Sequence, residues 1–316
     1  MRSIIRRGTL SQIALIGAGA LLLVAPGDAP AKKRQQQTAQ IKTASSTVPL
    51  AGAVGATASA TASCPRGTPA VGGGFATSIP SPGGPVPRIY ESQRIGRSQW
   101  RASAANGSAI AGGTVTSQVY CRKLPPKTTV TTVMASATVP PMGTSPTATA
   151  ICPPGTTVLS GGFQQTPVAV AGPGVPRLLV LVSAGMFPQG TTQTSWDSMA
   201  RNASAGSGTI TSYAYCAKPR RPEILRFTAP RLVGGFATFP SVMFGSGTVN
   251  SPRCRRIAKK QTKIAAGSFL VAQTTNEPLV YESRRLGSKR WISSAVDFGA
   301  GGSSAVWSLQ VVGLCV

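Results

Sequence analysis

The sequence predicts an all-β protein of three tandem, disulfide-closed, β-sandwich-like modules. Three observations support this: a composition suited to short strands and turns, a motif that recurs along the chain, and six cysteines that bracket the recurrences. The 316 residues include 36 Gly and 26 Pro, with few acids and abundant Ala, Ser, Thr and Val. Such a mixture favours short strands with frequent turns over long helices.

The chain begins with Arg2, Arg6 and Arg7, followed by an apolar run from Ile13 to Ala25 and then Ala29-Pro30-Ala31. That is the layout of a secretory signal peptide, assigned here to residues 1–31 with cleavage near Ala31. The apolar run falls short of the roughly 20 residues a membrane span needs, although an uncleaved anchor is the alternative. Without its signal the chain is expected to have no transmembrane span. Residues 32–42, with Lys32-Lys33-Arg34 and three consecutive glutamines among them, read as a disordered basic lead-in.

The repeat sets the module boundaries at 43–123, 124–218 and 219–316. In the first copy Cys64-Pro65-Arg66-Gly67 precedes Gly72-Gly73-Gly74-Phe75, and in the second Cys152-Pro153-Pro154-Gly155 precedes Ser160-Gly161-Gly162-Phe163. Tyr90-Glu91-Ser92-Gln93-Arg94-Ile95-Gly96 returns in the third copy as Tyr281-Glu282-Ser283-Arg284-Arg285-Leu286-Gly287. All three copies place an alanine and then an Asn or Asp at even spacing after a tryptophan: Trp100/Ala104/Asn106, Trp196/Ala200/Asn202 and Trp291/Ala295/Asp297. Even spacing puts each set on one strand face, which marks the tryptophans as core anchors rather than stacking platforms for sugars.

Each copy closes on an alternating stretch ending in cysteine. The parsimonious disulfides are therefore Cys64 with Cys121, Cys152 with Cys216 and Cys254 with Cys315, each contributing about 4 kcal/mol by loop entropy. The third copy diverges, because Cys254 leads into Arg255-Arg256-Ile257-Ala258-Lys259-Lys260 and Phe269 arrives late. Val233-Gly234-Gly235-Phe236 offers a competing register, rejected because its cysteine would stand on the wrong side.

Turn signals every eight to twelve residues imply five or six strands per module. The Gly-Gly-Phe stretch is expected to let a backbone pass close by while Phe fills the core. Two tertiary arrangements fit: separate sandwiches joined by the short Pro-rich linkers, which is favoured, or pseudo-threefold, β-prism-like packing. The Cys-Pro-x-Gly, Gly-Gly-Phe, Trp and closing-Cys pattern resembles repeats in secreted bacterial proteins of no established activity. The resemblance implies export and a β-module, and it carries over no site residue.

Catalytic options are few. There is no histidine, which removes Ser-His-Asp and Cys-His catalysis and the commonest metal ligand. Glu277 with Glu282, or an inter-module pair, is what a glycosidase reading would use, and Glu91 and Glu282 read as strand glutamates paired with a nearby arginine such as Arg94 or Arg285. The chain is expected not to be an enzyme, and to need no metal or cofactor. Asn106-Gly107-Ser108 and Asn202-Ala203-Ser204 match the glycosylation sequon but sit where turns favour Asn.

Charge is the feature that speaks about partners, at +25 with 32 basic and 7 acidic residues. Fifteen of the basic residues lie in 217–316 and three in 124–216, so the charge is not a uniform coat. Arg253, Arg255, Arg256, Lys259, Lys260 and Lys263, with Arg284, Arg285, Lys289 and Arg290 as a second cluster, form a candidate polyanion site in the third module. For an exported chain, anionic cell-surface polymers or lipid headgroups are nearer partners than nucleic acid. The expectation is a secreted or envelope-associated adhesion protein; a self-assembling extracellular component or a set of carbohydrate-binding modules are the alternatives.

Overall fold

A computed structural model describes residues 40–316 apart from 79–86, 108–111, 167–177, 187–193, 219–230, 241–245, 252, 255–263, 274–277, 298–305 and 316. Among the described residues there are eighteen strands, six from each repeat. The first repeat holds β1 (Lys42–Leu50), β2 (Thr57–Ser63), β3 (Ala70–Thr77), β4 (Arg88–Ile95), β5 (Gln99–Ala105) and β6 (Gly113–Cys121). The second holds β7 (Thr129–Val139), β8 (Ala148–Ile151), β9 (Thr157–Thr166), β10 (Leu178–Met186), β11 (Ser195–Asn202) and β12 (Gly208–Lys218). The third holds β13 (Arg231–Pro240), β14 (Ser246–Asn250), β15 (Ile264–Gln273), β16 (Pro278–Leu286), β17 (Arg290–Asp297) and β18 (Val306–Cys315).

These strands form three six-stranded sheets. Sheet A runs β1-β6-β3-β16-β17-β14, sheet B runs β2-β5-β4-β9-β12-β7, and sheet C runs β13-β18-β15-β10-β11-β8. Every sheet thus joins a three-stranded half of one repeat to a half of another, and the exchange closes among the three repeats. The all-β, three-repeat reading holds. Of the two arrangements compatible with it, the strand order is the pseudo-threefold one: no repeat closes a sandwich on its own, and residues 39–316 are a single compact unit.

The reason lies at the seams between halves, where only two residue pairs bridge the repeats. They are Ser283↔Phe75 and Glu282↔Ala76 in sheet A, Ser92↔Phe163 and Glu91↔Gln164 in sheet B, and Ser183↔Phe269 and Val182↔Leu270 in sheet C. Phe75, Phe163 and Phe269, each at most 2% exposed, meet edge to face with centroids 6.0, 6.2 and 6.4 Å apart. A single phenylalanine on a half-sheet has nowhere apolar to go, and three of them supply one another's partners. The sheets therefore close around this trio.

Each seam also carries a tryptophan. Trp100, Trp196 and Trp291 are buried, and their indole N–H groups donate to Ser92, Ser183 and Ser283 at 3.0, 3.0 and 2.9 Å. The rings lie against glycine: a Cβ on Gly73, Gly161 or Gly267 would fall 2.1 Å from the facing indole. The second glycine of the motif faces backbone, since a Cβ on Gly162 would meet the Ser92 carbonyl at 2.2 Å and one on Gly74 the Ser283 carbonyl at 2.4 Å. In the third repeat Phe269 joins the trio, while Phe236 lies on edge strand β13, so the rejected register is an edge-strand sequence.

Two disulfides are Cys64–Cys121 and Cys152–Cys216, both with Cα atoms 5.6 Å apart. Cys254 is also disulfide-bonded. Cys64 follows β2 of sheet B and Cys121 ends β6 of sheet A, so the bridge staples two sheets of the unit rather than two faces of a private sandwich. The Cys-Pro-x-Gly segments are turns: Thr68 N–H donates to Pro65 and Thr156 N–H to Pro153, with Gly67 and Gly155 at φ +76° and +72°. Only glycine adopts that backbone without strain.

Candidate anion-binding cleft

One end of sheet B carries an open cleft of about 680 Å³ beside the first linker. One wall is the β4–β5 hairpin, which turns at Gly96 (φ +63°) and supplies Arg94 and Arg97. The other is the segment from Lys123 to Val130, where Pro125 and Pro126 stiffen the chain and Thr128 N–H closes a turn on the Pro125 carbonyl. That turn holds Lys127 at φ 62° and sets both Lys123 and Lys127 at the exposed rim. Four cations line the cleft, and no carboxylate does.

Arg94 is the deepest of the four. Its backbone N–H donates to the Tyr215 hydroxyl at 2.7 Å, and its guanidinium lies 4.6 Å over the Tyr215 ring. Burial lowers the affinity of this guanidinium for its proton and pushes the Tyr215 hydroxyl well above the usual phenol range. The arginine nevertheless stays charged at neutral pH and the tyrosine neutral. One amino group reaches Thr132 Oγ1 at 3.4 Å, and the buried Nε has no hydrogen-bond partner among the described residues. A partly desolvated guanidinium with spare donors and no carboxylate beside it is a strong donor site for an oxyanion.

Sheet A repeats the pair with a different outcome. Tyr120 hydroxyl accepts from Arg285 N–H at 2.7 Å and its ring lies 5.9 Å from the guanidinium, but that guanidinium donates to the carbonyls of Ser288 and Ile41 at 3.3 and 3.5 Å. Sheet C has Gly185 and Leu314 at the corresponding positions. The threefold plan thus produces one open arginine site, one self-occupied site and one without arginine.

The carboxylates are consumed internally. Glu91, 3% exposed, accepts from Arg101 at 2.5 Å, Gln93 at 2.5 Å and Ser103 at 2.6 Å. Glu282 accepts from Arg284 at 2.6 Å and Ser294 at 2.7 Å. Asp197 accepts from Ser195 at 3.3 Å, and burial raises its pKa. These are the three acids whose side chains are described, so the described outer surface is left cationic. Glu277, the second half of the carboxylate pair, lies outside the described residues.

The ten basic residues proposed from sequence divide. Arg255, Arg256, Lys259, Lys260 and Lys263 lie outside the described residues. Arg284 is held by Glu282, and Arg285 is 7% exposed over Tyr120. Arg253, Lys289 and Arg290 come together, because Cys254 N–H donates to the Lys289 carbonyl at 2.9 Å. The same contact in the first repeat is Cys64 N–H to Ser98, beside the cleft.

The cleft itself escaped sequence reading, because its cations are spread over 34 positions of chain and fall across the first two repeats, each with fewer charges than the third. The one available signal was Lys-Leu-Pro-Pro-Lys, which reads as a spacer until the fold sets it against Arg94. Trp100, Trp196 and Trp291 are buried and offer no stacking surface. Asn106 and Asn202 are buried as well, with side-chain amides donating to Ala51 and Gly206 carbonyls, as the turn reading requires. Among the described residues no group of acids, cysteines or histidines is arranged to hold a metal ion, and no helix is long and apolar enough to cross a membrane. The sequence matches no protein-family model, and no curated protein is significantly similar to it.

Proposed function

We propose that this chain is an exported, non-enzymatic adhesion or envelope-associated protein that binds anionic surface polymers. The observation that carries the reading is the cleft, in which Arg94, Arg97, Lys123 and Lys127 converge with no carboxylate among them. Internal pairing of the described acids supports it, because a polyanion then meets no opposing charge there. Export is supported by the amino-terminal segment and by disulfides, which persist in oxidising compartments. The basic third-repeat cluster extends the cationic surface and serves as a second contact region along a polymer. Binding of this kind draws on counterion release, which rewards repeated anionic groups over a single one.

The test is retention of residues 39–316 on polyphosphate, acidic polysaccharide and neutral polysaccharide across a salt series. Salt-sensitive retention on the acidic polymers alone is expected. Replacing Arg94, Lys123 and Lys127 together by Gln lowers the slope of log affinity against log salt by about 2 to 3, roughly one for each ionic contact removed. An unchanged slope in the triple variant, or equal retention on the neutral polymer, overturns the assignment.

A further inference from the structure

Among the described residues the three sheets have six edge strands, and five of them carry a recognised protection. Strands β2, β8 and β14 are short, at 7, 4 and 5 residues. Strand β1 has Lys42 and Pro49, and β13 has Arg231 and Pro240. Short length, charge and proline are the usual means of keeping a sheet edge from accepting another strand.

The sixth edge has none of these. Strand β7 is 11 residues of TVTTVMASATV, with no charge and no proline. It pairs without a register shift to β12 on one side, from Thr129↔Lys218 to Val139↔Gly208. On the other side no strand pairs with it among the described residues. Its alternation is regular: Val133 and Ala135 pack toward the disulfide cluster of the second repeat, while Thr132, Met134 and Ser136 are exposed. Met134 is 69% exposed in the middle of the strand. A long, flat, uncharged and partly apolar edge is a template for strand addition.

We infer that β7 is a self-association edge, pairing antiparallel with β7 of a second copy across a twofold axis at Met134. The charge pattern favours a second copy. A chain of net charge +25 can approach itself most easily where it is least charged, and residues 124–216 hold only Lys127, Arg177 and Arg201 among 32 basic residues. The antiparallel sense also sends Lys127, just before the strand, toward the far end of the partner strand, away from the partner's Lys127. In this register Met134 stands opposite Met134 of the second copy and Thr132 opposite Ser136. The two exposed methionines bury each other, and sheet B becomes the half of a continuous two-molecule sheet. An isologous contact of this kind closes at two copies.

Sedimentation velocity of residues 39–316 from about 1 to about 100 μM tests it, in about 0.5 M salt so that residual repulsion is screened. A monomer–dimer equilibrium is expected. Met134→Lys places two cations face to face and should weaken it at least about tenfold. Met142→Lys adds the same charge at an equally exposed methionine outside the strand and should leave it unchanged. Circular dichroism melting reports whether either variant is folded, and Met134→Cys should form an interchain disulfide on mild oxidation. A monomer throughout the range overturns the inference and assigns the edge to an extended segment of another protein. A dimer indifferent to Met134→Lys overturns it too, because association then lies elsewhere.

Discussion

The seams of sheets B and C share one framework and differ in what lines it. Both have a phenylalanine of the central trio, an indole bonded to a serine, and a glycine under the indole. Around that framework sheet B places Glu91, Arg101, Ser103, Arg94 and Tyr215, where sheet C has Val182, Asp197, Met199, Gly185 and Leu314. In sheet C the seam is an apolar cluster of Leu181, Val182 and Ala184 with Met199 and Leu270 against it. Since the same backbone crosses both seams, the polar set of sheet B is not needed to close the fold. The shared residues are structural, and the differing ones are where function has room to vary.

Breaking the shared framework should have the largest effect and should be equal in the two sheets. Gly161→Val or Gly73→Val drives a branched side chain into an indole in a close-packed core, at a cost of at least about 3 kcal/mol. Loss of the folded state is expected for both, read by urea denaturation. If either variant keeps its midpoint, the indole contact does not hold the seam. Removing the disulfides comes next. The paired variant Cys64→Ala/Cys121→Ala, and likewise Cys152→Ala/Cys216→Ala, should lose about 2 to 5 kcal/mol, read from thermal melts with and without reductant.

Substitutions confined to sheet B sharpen the contrast. Tyr215→Phe leaves the Arg94 N–H without its acceptor and should cost about 1 to 2 kcal/mol; the same change at Tyr120 should match it, and Leu314 marks a seam that never had the bond. Glu91→Gln removes the charge that Arg101 pairs with and one of the two oxygens that accept from Gln93, Arg101 and Ser103. Its cost should stay near about 1 to 2 kcal/mol because Arg101, 36% exposed, regains water. A neutral result for both would mean that the polar set is decoration on a seam held by Phe and Trp alone.

The smallest effect belongs to sheet C. Burial raises the Asp197 pKa, so its carboxyl binds its proton more tightly folded than unfolded. In the window from the ordinary aspartate value up to the raised one, the folded state holds more protons, and stability falls as pH rises. Asp197→Asn should remove that dependence and shift the denaturant midpoint slightly upward at neutral pH. A midpoint with unchanged pH slope would place the dependence on another group.

Much of the local chemistry was legible from residues 43–316 because it rests on short-range requirements. A Cys-Pro-x-Gly turn needs its glycine at positive φ, a strand face repeats every second residue, and an indole on such a face beside small residues is buried. Trp100, Ala104 and Asn106 share one buried face for that reason. The glutamates were read as paired to arginine, and the pairing exists, but Glu91 takes Arg101 across the hairpin rather than Arg94. Strand register decided this, since Gln93 and not Glu91 stands opposite Arg101, and a single β-bulge between Ile89 and Glu91 displaces the expected neighbours.

By itself, then, the sequence determined the strand-rich class, the threefold repeat, the turns and the cysteine brackets, because each is written in residues close together or at a fixed spacing. The tertiary structure decided which halves share a sheet. That choice rests on three phenylalanines more than 80 positions apart finding one another, a contact with no local signature. It also decided which arginine stays open, since Arg94 and Arg285 occupy the same motif and folding brings the carbonyls of Ile41 and Ser288 to Arg285.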